Sequence, residues 1–256
     1  MKNPWIRYGK RKKDADIRLF CLPYAGAGAT IYARWDQFFS SKIAVCPVAL
    51  PGREQRSSEP HIDNAQRLAQ MIFEGIKGEI DTPYAIFGHS MGGIISYELT
   101  KKICESGMRK PEVLFLSGTA LHFPEDRKQI YKLSDDAFAK HLIEMGGTYE
   151  TLVNMEKFRQ CFFPILRNDY KLAETYQCSE QRLPCKIHGF AGTKDQEILN
   201  EYTLQLKNYT DNFELTYYNG GHFFINEFEK EVCQKIEAVL LGNKEINDIW
   251  EVTIHE

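Results

Sequence analysis

Gly88-His89-Ser90-Met91-Gly92, preceded by the apolar run Tyr84-Ala85-Ile86-Phe87, is the segment that most narrows what this chain can fold into. Gly-x-Ser-x-Gly between a strand and a helix requires a turn tight enough to lift the serine hydroxyl out of a sheet. It marks Ser90 as a candidate covalent nucleophile. A Cβ at the flanking positions would meet neighbouring backbone in such a turn, so glycine is needed there. The pentapeptide is widespread. Its meaning depends on whether the chain also supplies a base, an acid and an oxyanion hole at the same edge of a sheet.

Short apolar runs alternate with longer helical patterns, which predicts a mostly parallel sheet with helices on both faces. Strands are expected at Ile17–Leu22, Ile43–Ala49, Tyr84–Phe87, Val113–Ser117, Cys185–Phe190 and Phe213–Tyr217. Helices are expected at Tyr32–Phe39, Asn64–Ile80, Gly92–Glu105, Asn200–Asn208 and Phe223–Leu241, stopping at Gly242. In the last of these, Phe224, Phe228, Val232 and Ile236 recur every fourth residue, so one face should pack on the sheet. From His122 to about Gln181 no strand pattern occurs, only helical runs at Ser134–Met145 and Asn154–Tyr176 joined through Gly146-Gly147 and Pro164. So long a connection between two strands implies a helical cap or lid. Most of its apolar residues should form a small core of their own, with a minority lining an acyl channel.

The reading is one domain over residues 16–243 with a lid at about 122–181. A basic, solvated arm precedes it (1–15, with Arg7, Lys10, Arg11, Lys12 and Lys13) and a polar tail follows it (244–256). A net charge of -3 gives no reason to expect nucleic acid or an anionic membrane as partner. No run approaches a membrane span or a signal-peptide core. Seven cysteines, scattered and without a C-x-x-C pair, fit free thiols in a reducing cytoplasm and no metal site. Phosphate-loop and dinucleotide fingerprints are absent, so no cofactor is expected.

A serine hydroxyl needs a base, and imidazole is suited to that task near neutrality. Of seven histidines, His89 should point away from Ser90, His188 sits inside a strand, and His61, His122, His141 and His255 fall in polar loops, cap helices or the tail. His222, in the turn Asn219-Gly220-Gly221-His222-Phe223 after the last strand, should lie over the sheet's C-terminal edge beside the elbow. Asp195 leaves the preceding strand at that edge and falls between Ser90 and His222 in chain order, as an acid should. Its bland role would be to cap the following helix. Glu197 and Glu125-Asp126 are the substitutes. Met91 N–H should supply one oxyanion donor, and the loop Leu22-Pro23-Tyr24-Ala25-Gly26-Ala27-Gly28-Ala29 the other, with Ala25 favoured.

Taken together, Leu22-Pro23-Tyr24-Ala25-Gly26-Ala27-Gly28, Leu50-Pro51-Gly52-Arg53-Glu54-x-Arg56, the elbow, Arg167-Asn168-Asp169-Tyr170, Asp195 and Gly221-His222-Phe223-Phe224 resemble the type II thioesterases. These are stand-alone α/β-hydrolases that accompany nonribosomal peptide and polyketide synthetases. The likeness runs from about Arg18 to Leu241. It implies hydrolysis of acyl or aminoacyl thioesters from the phosphopantetheine arm of carrier domains, with Ser90, Asp195 and His222 as triad. A monomer is expected. Arg53 and Glu54 are expected to form an ion pair supporting their loop. The alternatives are a medium-chain fatty acyl-carrier-protein thioesterase, a general carboxylesterase, or a non-catalytic binding protein on the same fold.

Overall fold

A computed structural model describes residues 3–7, 15–124 and 127–242. Six strands form where the apolar runs fall: β1 (Ile17–Leu22), β2 (Ile43–Pro47), β3 (Tyr84–His89), β4 (Val113–Ser117), β5 (Lys186–Gly192) and β6 (Phe213–Tyr218). They pair in parallel in the order β2-β1-β3-β4-β5-β6. Parallel strands covered on both faces lose the polar alternation of a half-exposed sheet, which is why these runs were visible as continuous apolar stretches.

Between them lie helices α1 (Ala65–Ile76), α2 (Met91–Glu105), α3 (Asp135–Glu144), α4 (Glu150–Val153), α5 (Glu156–Glu174), α6 (Asn200–Leu204), α7 (Phe224–Glu227) and α8 (Glu229–Leu241). Side chains of β1 alternate between two cores. Phe20 and Leu22 join α1 and α2 on one face, while Leu19 and Cys21 join Tyr32, Trp35 and α8 on the other. A third cluster, built around Phe138, Leu142, Val153, Phe163 and Leu166, is the core of the lid itself. Leu152, Met155 and Phe162, apolar residues of the same segment, are exposed.

Several helices differ from expectation. Tyr32–Phe39 forms only two short 3-10 turns, Ala29–Tyr32 and Trp35–Gln37. The Tyr32 hydroxyl donates to the Leu22 carbonyl at 2.8 Å and its ring meets Trp35 at 4.7 Å, so tertiary anchoring of two large rings overrides helical continuity. The final helix breaks at Phe228, with Phe224 stacked on Tyr218 at 5.3 Å and Phe228 tilted against the same ring at 5.6 Å. Gly146 and Gly147 do separate α3 from α4, but Pro164 lies inside α5 and joins nothing. The helix continues through it because the buried stripe Phe163, Leu166, Asp169 and Leu172 outweighs one missing backbone bond.

The N-terminal arm also departs from a solvated reading. Ile6 bridges antiparallel to Val48, and Arg7 and Ala49 exchange backbone bonds with Pro47 and Trp5. Residues 3–7 therefore cover the β2 edge, satisfying an otherwise open row of peptide groups. Trp5 also packs beneath the Arg56 guanidinium at 3.8 Å. Lys10 to Lys13 and the tail beyond Gly242 lie outside the described residues.

Candidate active site

The register places Leu22 beside Gly88 and His89 beside Ser117, so the loops after β1, β3 and β4 converge at the C-terminal edge of the sheet. At the elbow Ser90 adopts φ 54° and ψ -121°, a conformation that costs a non-glycine residue about 1–3 kcal/mol. Surrounding contacts hold it there. Ser90 N–H donates to the Ser117 carbonyl at 2.8 Å, and the Thr119 hydroxyl donates to the Ser90 carbonyl at 2.9 Å. A Cβ on Gly88 would stand 2.2 Å from the Gly92 carbonyl oxygen, and one on Gly92 2.3 Å from that of Leu22. The glycines are a requirement of this turn, as the pattern implied.

β5 and β6 deliver the other two groups. Gly192 closes to within 2.6 Å (from its would-be Cβ) of the Gly220 and Gly221 carbonyls, and this approach brings the two loops together. His222 Nε2 lies 2.9 Å from Ser90 Oγ, and His222 Nδ1 lies 2.8 Å from Asp195 Oδ2. The second Asp195 oxygen accepts from the Glu197 and Ile198 N–H groups at 2.9 and 3.0 Å. Asp195 thus caps its own turn and holds His222 at once. It does not cap the following helix α6, whose N-cap is Leu199; one oxygen closes the turn before that helix and the other faces the His222 ring. Of the two substitutes, Glu197 pairs with Arg127, and Glu125-Asp126 fall outside the described residues.

His89 is buried under this assembly, its ring 5.1 Å from that of His222 and its Nδ1 2.9 Å from Ser117 Oγ. Burial first, and the neighbouring His222 second, hold its pKa well below the usual imidazole value. A neutral His89 spares an imidazolium at His222 from a second cation beneath it. His188, as expected, is a strand residue, bonded through Nε2 to Thr216 Oγ1 at 2.9 Å.

Three features escaped the sequence. Arg53 does not pair with Glu54. It makes a two-pronged bond to Asp169 of α5, at 2.6 and 2.7 Å, with both groups buried. Glu54 instead accepts from the backbone N–H and hydroxyl of Thr30, bracing the far end of the β1 loop. Asp169 also accepts from Gly26 N–H at 2.8 Å. A signal existed, because Asp169 interrupts the apolar stripe of α5 and a buried carboxylate must find a partner.

Ser90, His222, Ala25 and Met91 border a cavity of about 80 Å³ beneath the lid. Leu142, Met145 and Leu166 supply apolar wall, while Arg127, Glu174 and Glu197 make part of it charged. Burial pushes the Glu174 carboxyl above its ordinary pKa, although its two oxygens accept from the Ile130 and Tyr131 amides. Among the described residues, no group of three or more His, Cys, Asp or Glu could hold a metal ion, and no helix is long and apolar enough to cross a membrane.

A parallel sheet with an elbow serine, a lid, and an imidazole and carboxylate on its last two strand loops defines an α/β-hydrolase fold. Residues 17–240 match the thioesterase domain family, and the chain belongs to it, among hydrolases acting on thioester bonds. It is 33% identical to gramicidin S biosynthesis protein GrsT of Aneurinibacillus migulanus, covering 93% of this chain and 96% of that one. Thioesterase PikA5 of Streptomyces venezuelae is 30% identical over 93% of this chain and 85% of its own. Among solved structures, ClbQ from the colibactin NRPS/PKS pathway superposes with a TM-score of 0.82 at 27% identity, covering 92% of this chain and all of that one.

Proposed function

We propose that this chain is a stand-alone serine thioesterase that clears acyl or aminoacyl groups from the phosphopantetheine arms of carrier domains in a nonribosomal peptide or polyketide synthetase. Ser90 Oγ attacks the thioester carbonyl while His222 Nε2 takes its proton, and Asp195 holds the imidazole and offsets its charge. The oxyanion falls to the Ala25 and Met91 N–H groups. The thiolate leaves readily and carries off, directly or through solvent, the proton held by the His222 imidazolium. Neutral His222 then takes a proton from water as that water attacks the Ser90 ester, and returns it to Ser90 Oγ as the acid is released. The observation that carries this reading is the unbroken Ser90–His222–Asp195 chain opening on a small lidded cavity, within a sequence similar to GrsT over 93% of its length.

The same cavity bears on the acyl group. An apolar cavity of about 150 Å³ takes one benzene, so about 80 Å³ suits a short acyl unit and disfavours a medium chain. Octanoyl is expected to be hydrolysed at least about tenfold less efficiently than acetyl or alanyl on one carrier domain, with Met145→Ala narrowing the gap. Equal kcat/KM for the series would return the medium-chain alternative. Covering of the β2 edge by residues 3–7 supports a monomer, and seven unbridged cysteines support a cytoplasmic setting.

The deciding experiment compares a thioester on a carrier domain with the same acyl group on coenzyme A and on p-nitrophenol. Carrier-bound substrate should be favoured in kcat/KM by about tenfold or more, the scale of a modest docking interaction. Comparable turnover of the small esters would favour a general carboxylesterase.

A further inference from the structure

We propose that Asp169, on the lid helix α5, is a positioning residue that shapes the oxyanion loop, so that the hydrolytic site is complete only while the lid is seated. The inference rests on the serine-hydrolase reading above. Its basis is the geometry of the turn Tyr24-Ala25-Gly26-Ala27. Ala27 N–H donates to the Tyr24 carbonyl at 3.1 Å, and Gly26 in the third position has φ 78°, the arrangement of a type II turn.

In a planar peptide the N–H points opposite to the C=O. Fixing the Tyr24 carbonyl inside the turn therefore aims Ala25 N–H outward, on the side where Ala25 borders the cavity with Ser90 and Met91. Type I and type II turns differ by a flip of the central peptide, here Ala25–Gly26. Asp169 Oδ2 accepts from Gly26 N–H at 2.8 Å and so selects one flip state. The other would turn the Ala25 carbonyl toward a carboxylate.

The remaining contacts come from the same two partners. Arg53 grips both oxygens of Asp169 and donates to the Ala27 carbonyl at 2.9 Å, which fixes the far end of the turn. One turn earlier on α5, Leu166 packs onto Gly26 so closely that a Cβ there would sit 2.4 Å from its Cδ2. α5 thus acts as a template against which the loop is moulded. The flip of Ala25–Gly26 alone leaves Ala25 N–H in place, because both turn types keep the Ala27–Tyr24 bond. A lid that swung away would do more: it would carry off Asp169 and Leu166 and leave Arg53 without its partner. Gly26 and Ala27 would then be unclamped together, the Tyr24 carbonyl would no longer be held inside the turn, and Ala25 N–H would lose its aim.

Asp169→Asn tests this on a small acyl thioester of N-acetylcysteamine, which needs no carrier domain. The amide keeps the shape but sets an NH₂ against either the guanidinium or the Gly26 N–H. A full oxyanion donor is worth about 10²–10³ in rate, so a misaimed one should lower kcat by about 10–100-fold. KM should stay within twofold. Affinity for a trifluoromethyl ketone, whose serine adduct carries the oxyanion, should weaken by a similar factor.

Unchanged kcat would overturn the inference. So would a loss shared between kcat and KM, with ketone affinity intact and a lowered unfolding midpoint, since that is the mark of a merely structural ion pair. If Asp169→Asn does not fold, Arg53→Lys decides on the same readouts: a kcat loss paralleled by ketone affinity at constant KM supports the role, and any other pattern overturns it. A wild-type protein that turns over no thioester would instead remove the hydrolase reading itself.

Discussion

Replacing Ser90 by alanine is expected to lower kcat by about 10⁴–10⁶-fold, the loss seen when a serine triad loses its nucleophile. The reason is geometric. Ser90 Oγ is the hydroxyl 2.9 Å from His222 Nε2, on a turn held by Ser117 and Thr119. Without it, water must attack directly, aided only by the oxyanion donors and by substrate binding. Alanine tolerates the positive φ no worse than serine, so stability should move by no more than about 0.5 kcal/mol. Two measurements check this. Intact mass after rapid quench should show an acyl-enzyme in the wild type and none in the variant. A fluorophosphonate should label the wild type alone. A variant that keeps turnover within tenfold would remove Ser90 from the mechanism.

How much of this was legible in the sequence follows from where each constraint is written. Strands could be read because burial on both faces turns them into apolar runs, and Val113–Ser117 matches its expected bounds. The elbow was local, since its glycines and serine lie within five residues. Asp195 and His222 are far apart in sequence, but each follows a strand, and the topology of a parallel sheet collects such loops at one edge. Failures occurred where packing decides. Whether Tyr32–Phe39 runs as one helix depends on the ring contacts of Tyr32 and Trp35, and the break at Phe228 coincides with ring contacts to Tyr218. The Arg53–Asp169 pair joins residues 116 apart and crosses from a β-strand loop to the lid, which no periodicity encodes. A lone acid in the buried stripe of α5 announced that a partner existed without saying which.

Asp195→Asn should cost about 10³–10⁴-fold in kcat with KM within a few fold, although it removes no reacting atom. The direction follows from the division of labour between its oxygens. Oδ1 accepts from two backbone donors, Glu197 N–H and Ile198 N–H, while Oδ2 faces His222 Nδ1. An asparagine amide has one acceptor oxygen, and the two N–H donors will keep it on their side. Its NH₂ then faces His222 and donates to Nδ1. The imidazole proton is driven to Nε2, which presents a donor to Ser90 Oγ where an acceptor is needed. The serine proton has nowhere to go. Because a thiolate departs without a general acid, this loss falls on deprotonation of Ser90 and of the deacylating water, so single-turnover acylation and steady-state hydrolysis should both slow. Asp195→Ala supplies the contrast. It frees both turn amides and leaves the tautomer unbiased, so it should lower thermal stability more than the asparagine variant and need not be less active. Turnover of the asparagine variant within tenfold of wild type would leave Asp195 as the cap of its own turn and pass the acid's role elsewhere.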